Sequence, residues 1–395
     1  MHRKIFDREF ILQTLQSLIR IDSRNPGLEA DAPGELEIAL HVRSLLKSWG
    51  YEPELHELGE RRANVVARRP GAGSGSSLMI NVHLDTVGTA GMDEPFSGTV
   101  RDGRVYGRGA QDTKGGMAAV LALARALGES NEEMAGDLVC AFVADEEDAS
   151  IGTADLTARL RTDAAVVIEP SGLDVVVGHR GFGIFRIRTR GRTAHGGRPD
   201  LGVDANLHMG LVLAGLDELR REWEHRWVHP QLGSASLHVP VVGGGRHLFV
   251  YSDACRAEVE CRTVPGQTAD ETELELRRAV ERAGAGRPDF DARVEPVMWR
   301  SPHAIDPDRP IVRAVRAAGG RVLGREPSLG WHGWWEDSGL LGEAGIDAVV
   351  IGPAGGGLHE ETEWVDLDSV VRLAEILLDT TRAYCGAEGK DIQHD

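Results

Sequence analysis

The sequence predicts an α/β protein: a doubly wound, mostly parallel sheet interrupted by a smaller inserted α+β domain. Three observations carry this. Up to residue 178, short apolar runs of strand character alternate with helical stretches, as parallel strands joined by helical crossovers do. After 178 the pattern becomes strict apolar–polar alternation, as in Phe182-Gly183-Ile184-Phe185-Arg186-Ile187-Arg188, the mark of half-exposed antiparallel strands. Past 310 the first style returns. A chain of 395 residues exceeds one ordinary core, so we expect one domain formed by 1–178 and 295–395 around an insertion at 179–294.

In chain order, 8–20 and 33–49 read as amphipathic helices, the second with Leu36, Ile38, Ala39, Val42, Leu45 and Leu46 on one face and a stop at Gly50. Strands are predicted at 51–55, 64–68 and 77–85, the last ending in His83 and Asp85, which share a face because side chains two apart point the same way. Arg104-Val105-Tyr106 ends a short strand before the glycine-rich loop Gly107–Gly116, and 117–128 forms a helix. Glycines let this loop present Asp112 rather than bury it. A strand at 137–144 leads into Asp145-Glu146-Glu147-Asp148, a helix spans 152–160, and a strand at 164–168 ends at Glu169-Pro170. The insertion holds strands at 182–190, 234–242, 249–262 and 290–298 and helices at 204–222 and 268–284, giving two helices on a four-stranded antiparallel sheet. A helix at 310–323, a tryptophan-rich loop at 330–339, a strand at 348–352 and a helix at 367–384 complete the main domain.

Composition excludes several functions. With 62 acidic against 44 basic residues, the net charge is −18, which argues against nucleic acid or an anionic membrane surface as partner. No stretch approaches a membrane span, and the N-terminal segment is not a signal-peptide apolar run. The four cysteines, Cys140, Cys255, Cys261 and Cys385, form no CxxC pair and no disulfide framework. A reducing cytoplasm fits these features. There is no Gly-x-Ser-x-Gly elbow, and Gly107–Gly116 lacks the phosphate-loop spacing.

What remains is a convergence of carboxylates and histidines. In doubly wound sheets ligands sit beyond the carboxyl ends of strands, and His83, Glu146, Glu147 and Glu169 all fall there. His83 offers a ring nitrogen to a metal, with Asp85 to orient it. Asp112 has two oxygens with which to bridge two cations about 3.5–4 Å apart. Adjacent carboxylates such as Glu146 and Glu147 are tolerated best beside a cation; one can bind it while the other takes a proton from an activated water. Glu169 and His359 are further candidate ligands, and His195, in the insertion, could donate a hydrogen bond to a developing oxyanion. Each has a plainer alternative. His83, Asp85 and Asp112 can cap turns or helices, Asp145–Asp148 can be a solvated acidic turn, and Glu169, His195 and His359 can be ordinary loop residues.

Taken together, the segments resemble the M20 metallopeptidase family, the group of acetylornithine deacetylase, succinyl-diaminopimelate desuccinylase and carboxypeptidase G2. The matching text is His83-Leu84-Asp85-Thr86-Val87, Pro95-Phe96-Ser97-Gly98, Val105 to Gly116, Asp145-Glu146-Glu147, Ile168-Glu169-Pro170, Ala194-His195-Gly196, Arg262-Thr263-Val264-Pro265-Gly266 and Gly356-Gly357-Leu358-His359. Order and spacing hold over nearly the whole chain. Val82, Gln111, Thr113 and Asp148 depart from the usual pattern, but none removes a ligand.

The resemblance implies two Zn²⁺, with Co²⁺ or Mn²⁺ as substitutes. His83 and Glu169 would serve one metal, Glu147 and His359 the other, and Asp112 would bridge, with a cis Asp112–Thr113 peptide. Glu146 would be the general base and Asp85 would support His83. His195 would polarise the scissile carbonyl from a lid domain that also forms a homodimer, and Arg262 would receive a substrate carboxylate, guanidinium being suited to bidentate pairing. Asn206 is a further polar candidate. The implied activity is hydrolysis of an amide in an N-acyl amino acid, a small-molecule substrate. A dipeptidase or glutamate-type carboxypeptidase acting on a short peptide is the alternative within the family, and a non-catalytic metabolite-binding relative the alternative outside it. The loop Trp331-His332-Gly333-Trp334-Trp335 either walls an acyl pocket or packs a hinge.

Overall fold

The computed structural model describes residues 6–89 and 91–386. They fall into two compact units: one contains the described residues up to Gly178 with Ile305–Gly330 and Glu336 onward, the other His179–Ala304 and Trp331–Trp335. The insertion thus runs past 294 to Ala304, because the strand Asp291–Arg300 stays paired with Gly181–Arg190 as far as Arg300.

The first unit is built on a large mixed sheet. At its centre Leu138–Val143, Leu78–His83, Ala164–Val167 and Asp347–Val350 lie side by side and parallel. Antiparallel neighbours flank this centre: Arg62–Arg69 and Glu54–Gly59 on one side, Val175–His179 on the other. The sheet is therefore parallel where the apolar runs are longest and antiparallel towards its edges. Both faces are covered. Met79, Val139, Ala165 and Val350 share one buried cluster with Leu156 and Leu341 of two covering helices, while Ile80, Cys140 and Val166, of opposite parity, are equally buried. Burial on both faces is why these strands read as continuous apolar runs instead of alternating.

Register places the chemistry. Leu78 pairs with Leu138 and His83 with Val143, while Asn81 pairs with Val167. His83, the turn after Val143 and the residues after Val167 therefore leave neighbouring strands at the same end. A second, small sheet of Thr99–Arg101, Arg104–Tyr106, Trp364–Asp366 and Gly355–Gly356 is also present. Its strands of two or three residues carry no readable period, and only Arg104–Tyr106 was expected. Asp366 then caps the helix Leu367–Cys385 by accepting from Ser369 N.

In the second unit, Ser236–Gly244, Ala254–Thr263, Gly181–Arg190 and Asp291–Arg300 form an antiparallel sheet in that order. The helices Ala205–Arg226 and Ala269–Ala283 bury Val212, Leu216, Trp223 and Leu276 against Phe185, Ile187, Ala257 and Val259. All four cysteines are buried and unpaired. Among the described residues no helix is long and apolar enough to cross a membrane.

Candidate metal centre

Asp112 sits in a tight turn, Ala110–Lys114, just ahead of the helix Gly115–Gly128, and its bond to Thr113 is cis. The glycines serve close packing. A Cβ on Gly116 would lie 2.3 Å from Ile168 Cγ2, and Gly109 has φ +79 with Thr86 Cγ2 2.7 Å from where its Cβ would be. Asp112 is 8% exposed, so the loop buries the carboxylate the sequence suggested it would present. The reason is the company it keeps: Oδ1 lies 2.9 Å from His83 Nε2 and Oδ2 lies 3.2 Å from His359 Nε2.

Around this carboxylate the other candidates assemble. Glu169 Oε1 is 3.7 Å from His83 Nε2, and Glu147 Oε2 is 3.2 Å from His359 Nε2. Donor atoms of His83, Asp112 and Glu147 lie within 4.8 Å of one another, as do those of His83, Glu146 and Glu169. His359 holds its place with φ 59, an uncommon conformation for a residue with a side chain.

The electrostatics of the cluster are strained by like charge. Burial pushes the Glu146 carboxyl well above its usual range; His83 opposes this, and the charges of Asp337, Glu147 and Asp112 add to it. Burial and then the charge of Glu146 push Glu169 up likewise. Burial and Asp112 raise Glu147 to about 7. Burial works against charge on Asp112 and His83 too, but there the mutual hydrogen bonds prevail: Asp112 is held below the usual carboxylate range and the His83 ring well above that of imidazole. Hydrogen bonds to Asp112 and Glu147 raise His359 to about 10. Glu147 Oε1 is buried without a hydrogen-bond partner. A set of imidazoles and converging carboxylates, one oxygen orphaned, fits divalent cations, which relieve the repulsion and replace the ring protons.

The Asp85 carboxylate lies beside the His83 ring, Oδ1 3.5 Å from Nδ1, and also does more. The main-chain oxygen of Asp85 accepts from His83 Nδ1 at 2.9 Å, fixing Nε2 as the nitrogen that faces Asp112. The carboxylate itself accepts from the backbone N–H groups of Glu146 and Glu147, both at 3.1 Å, and from Asn25 Nδ2 at 2.7 Å. Asp85 thus fastens the paired-glutamate turn. Asn25 also reaches Asp145 at 3.0 Å, and Arg62 contacts both Asn25 and Asp145. Asp145 is accordingly fully buried and is no part of a solvated acidic turn. Asn25, Arg62 and Asp337 were not predicted; isolated polar residues in loops and strand starts carry no periodic signal.

The remaining candidates lie in the second unit. His195 Nδ1 accepts from Gly197 N at 3.1 Å, which leaves Nε2 to carry the proton. Arg262 is paired with Glu260 at 2.5 Å and lies over the Phe182 ring. Asn206 is exposed, its side chain beside Gly244 and Gly245. The tryptophan loop mostly packs: Trp331 against His229, Trp335 edge-on to Phe182 with its Nε1 donating to Ser301 O. Trp334 alone is largely open, 43% exposed and stacked on His332.

Over 411 residues the chain is 28% identical to the N-formyl-4-amino-5-aminomethyl-2-methylpyrimidine deformylase of Bacillus subtilis, covering 96% of this chain and 95% of the relative. It is 29% identical over 360 residues to the acetylornithine deacetylase of Myxococcus xanthus, covering 88% and 91%. The fold is shared with aminopeptidase PepT of Bacillus cereus (TM-score 0.78, 19% identity, 96% and 99% covered). It is also shared with the YXEP protein of Bacillus subtilis, described as a dinuclear metal binding peptidase from the M20 family (TM-score 0.72, 16% identity, 94% and 97% covered). A profile of peptidase family M20/M25/M40 matches residues 79–383, a span holding every ligand candidate from His83 to His359, and the chain belongs to that family of metallohydrolases.

Proposed function

We propose that the protein hydrolyses the amide of an N-acyl amino acid with the help of two divalent cations, Zn²⁺ by preference. The observation that carries this reading is the Asp112 carboxylate, each oxygen of which faces a different histidine, His83 at 2.9 Å and His359 at 3.2 Å. His83 and Glu169 would hold one cation, Glu147 and His359 the other, and Asp112 both. Cations held there would supply Lewis acidity, polarising a carbonyl and lowering the pKa of a water to about 7.

The chain's own groups do the rest. Glu146, beside His83 and Glu169, takes a proton from the attacking water as its oxygen bonds to the carbonyl carbon. It then passes that proton to the nitrogen as the carbon–nitrogen bond breaks, releasing an amine and a carboxylic acid, which gives up its remaining proton to solvent or to the amine. Asp85 holds the backbone of Glu146 in place for both transfers. His195 is given the carbonyl's hydrogen bond, a role that its Nε2 proton suits, and Arg262 a substrate carboxylate, for which it must exchange its pairing with Glu260. Two relatives whose names denote removal of a small acyl group, a deformylase and a deacetylase, support release of a small acyl group over cleavage between two amino acids.

A homodimer through the inserted unit belongs to the same reading. Its support is the sheet-edge strand Ser236–Gly244, where Val241 and Val242 are 45% and 48% exposed, an edge that a second copy could cover. Light scattering tests it. For the activity, the test is a hydrolysis screen over N-formyl, N-acetyl and N-succinyl amino acids and dipeptides with added Zn²⁺ or Co²⁺. Turnover of the acyl amino acids is expected; turnover of dipeptides alone would overturn the deacylase assignment, and none at all would favour a metabolite-binding relative.

A further inference from the structure

Glu363 lies outside the candidate ligand set, yet it is 1% exposed and four donors converge on its carboxylate. Oε2 accepts from Arg108 Nη1 at 2.7 Å and Gly109 N at 2.9 Å; Oε1 accepts from Gln111 N at 2.8 Å and Asp112 N at 3.1 Å. A carboxylate has about four lone-pair sites, so Glu363 is saturated and has nothing left for a metal or a substrate. Every one of its partners belongs to the loop that carries Asp112.

Arg108, 2% exposed, extends the same connection. Its Nε donates to Gly88 O at 2.8 Å and its Nη2 to Glu360 O at 3.0 Å. One guanidinium thus joins the segment leaving His83 and Asp85, the residue after His359, and Glu363. The backbone repeats the connection, with Gly107 N donating to Glu363 O at 3.1 Å and Trp364 paired with Tyr106.

We infer that Arg108 and Glu363 are positioning residues for the metal centre: they lock the Asp112 loop against the His359 segment and so set how one carboxylate is shared between His83 and His359. Buried charge-assisted hydrogen bonds of this kind are stiff, and a bridging ligand tolerates little displacement. The inference rests on the proposed ligand roles of Asp112 and His359. It differs from a purely structural role in one respect: loosening the lock weakens metal binding in a chain that is still folded.

The test uses the full chain stripped with chelator, and zinc itself as the probe. Glu363→Gln keeps the size of the side chain but turns an amide NH₂ towards backbone N–H groups. Circular dichroism reports folding of the metal-free variant, and competition with a chromophoric chelator reports zinc affinity. Affinity for at least one equivalent is expected to fall roughly 10–100-fold, with kcat lowered, KM unchanged and activity restored at saturating zinc. Wild-type affinity for both equivalents would overturn the inference, even where the melting temperature drops. Should Glu363→Gln not fold, Arg108→Lys is judged by the same readout; failure of both to fold would reject the positioning role. His359→Ala is the control: zinc binding indifferent to it removes the ligand assignment itself, so the two failures are distinguishable.

Discussion

Glu35 offers a stability change whose size follows from the structure. Its carboxylate is fully buried, neither oxygen has a hydrogen-bond partner, and the nearest cation, Arg62 Nε, is 3.7 Å away. Burial, with the negative charge of Asp85 added, raises its pKa from 4.5 to about 8 in the folded chain. A carboxyl whose folded pKa is raised favours folding while protonated, and that contribution is lost as pH climbs from the unfolded to the folded value. At roughly 1.36 kcal/mol per unit, about 3 kcal/mol is lost by pH 7 and about 5 kcal/mol well above pH 8. Glu35→Gln removes the titration while preserving shape. Urea unfolding of both proteins in chelator, at pH 5 and pH 9, should therefore show the variant gaining about 4 kcal/mol relative to wild type across that interval. Parallel pH profiles would refute the argument, because they would mean that Glu35 keeps an ordinary carboxylate pKa when folded.

The other predictions concern the centre. Glu146→Gln should lower kcat by roughly 10²–10⁴-fold with zinc content unchanged; retained turnover would remove the base. In chelator-stripped protein, Glu147, raised to about 7, favours folding below pH 4.5 and loses that contribution as pH rises to 7, with Glu146 and Glu169 shifted the same way. The rise in melting temperature on adding zinc should thus be larger at pH 8 than at pH 5, and a shift independent of pH would contradict the cluster's electrostatics. Asn25→Ala leaves Asp85 and Asp145 each short of a buried donor and should cost about 2–4 kcal/mol in unfolding experiments, with a loss of kcat that saturating zinc does not restore.

The fold was readable where the physics is local and repetitive. Continuous apolar runs such as Leu138–Val143 betrayed strands buried on both faces, and the alternation after Phe182 betrayed a sheet covered on one side only. Strands too short for a period, such as Gly355–Gly356, left no trace, although they hold the His359 segment against the Asp112 loop. The ligand candidates were legible because each ends a strand or sits in a glycine-rich turn. Their supports were not: Asn25, Arg62, Arg108 and Glu363 are single polar residues whose meaning comes only from partners far away in sequence, Glu363 lying 255 positions from Arg108. Asp85 shows the limit most clearly. Its place two residues after His83 suggests a contact with the ring, and Oδ1 does lie 3.5 Å from His83 Nδ1; that the same carboxylate also accepts from the backbone of Glu146 and Glu147 only a fold can reveal.

The proposed chemistry needs two cations sharing one aspartate. Anomalous diffraction at the zinc edge, from crystals grown with zinc, examines that directly. Two peaks about 3.5–4 Å apart are expected, one ringed by His83, Asp112 and Glu169 and the other by Asp112, Glu147 and His359. A cluster without a peak, or a single ion out of reach of Asp112, would contradict it.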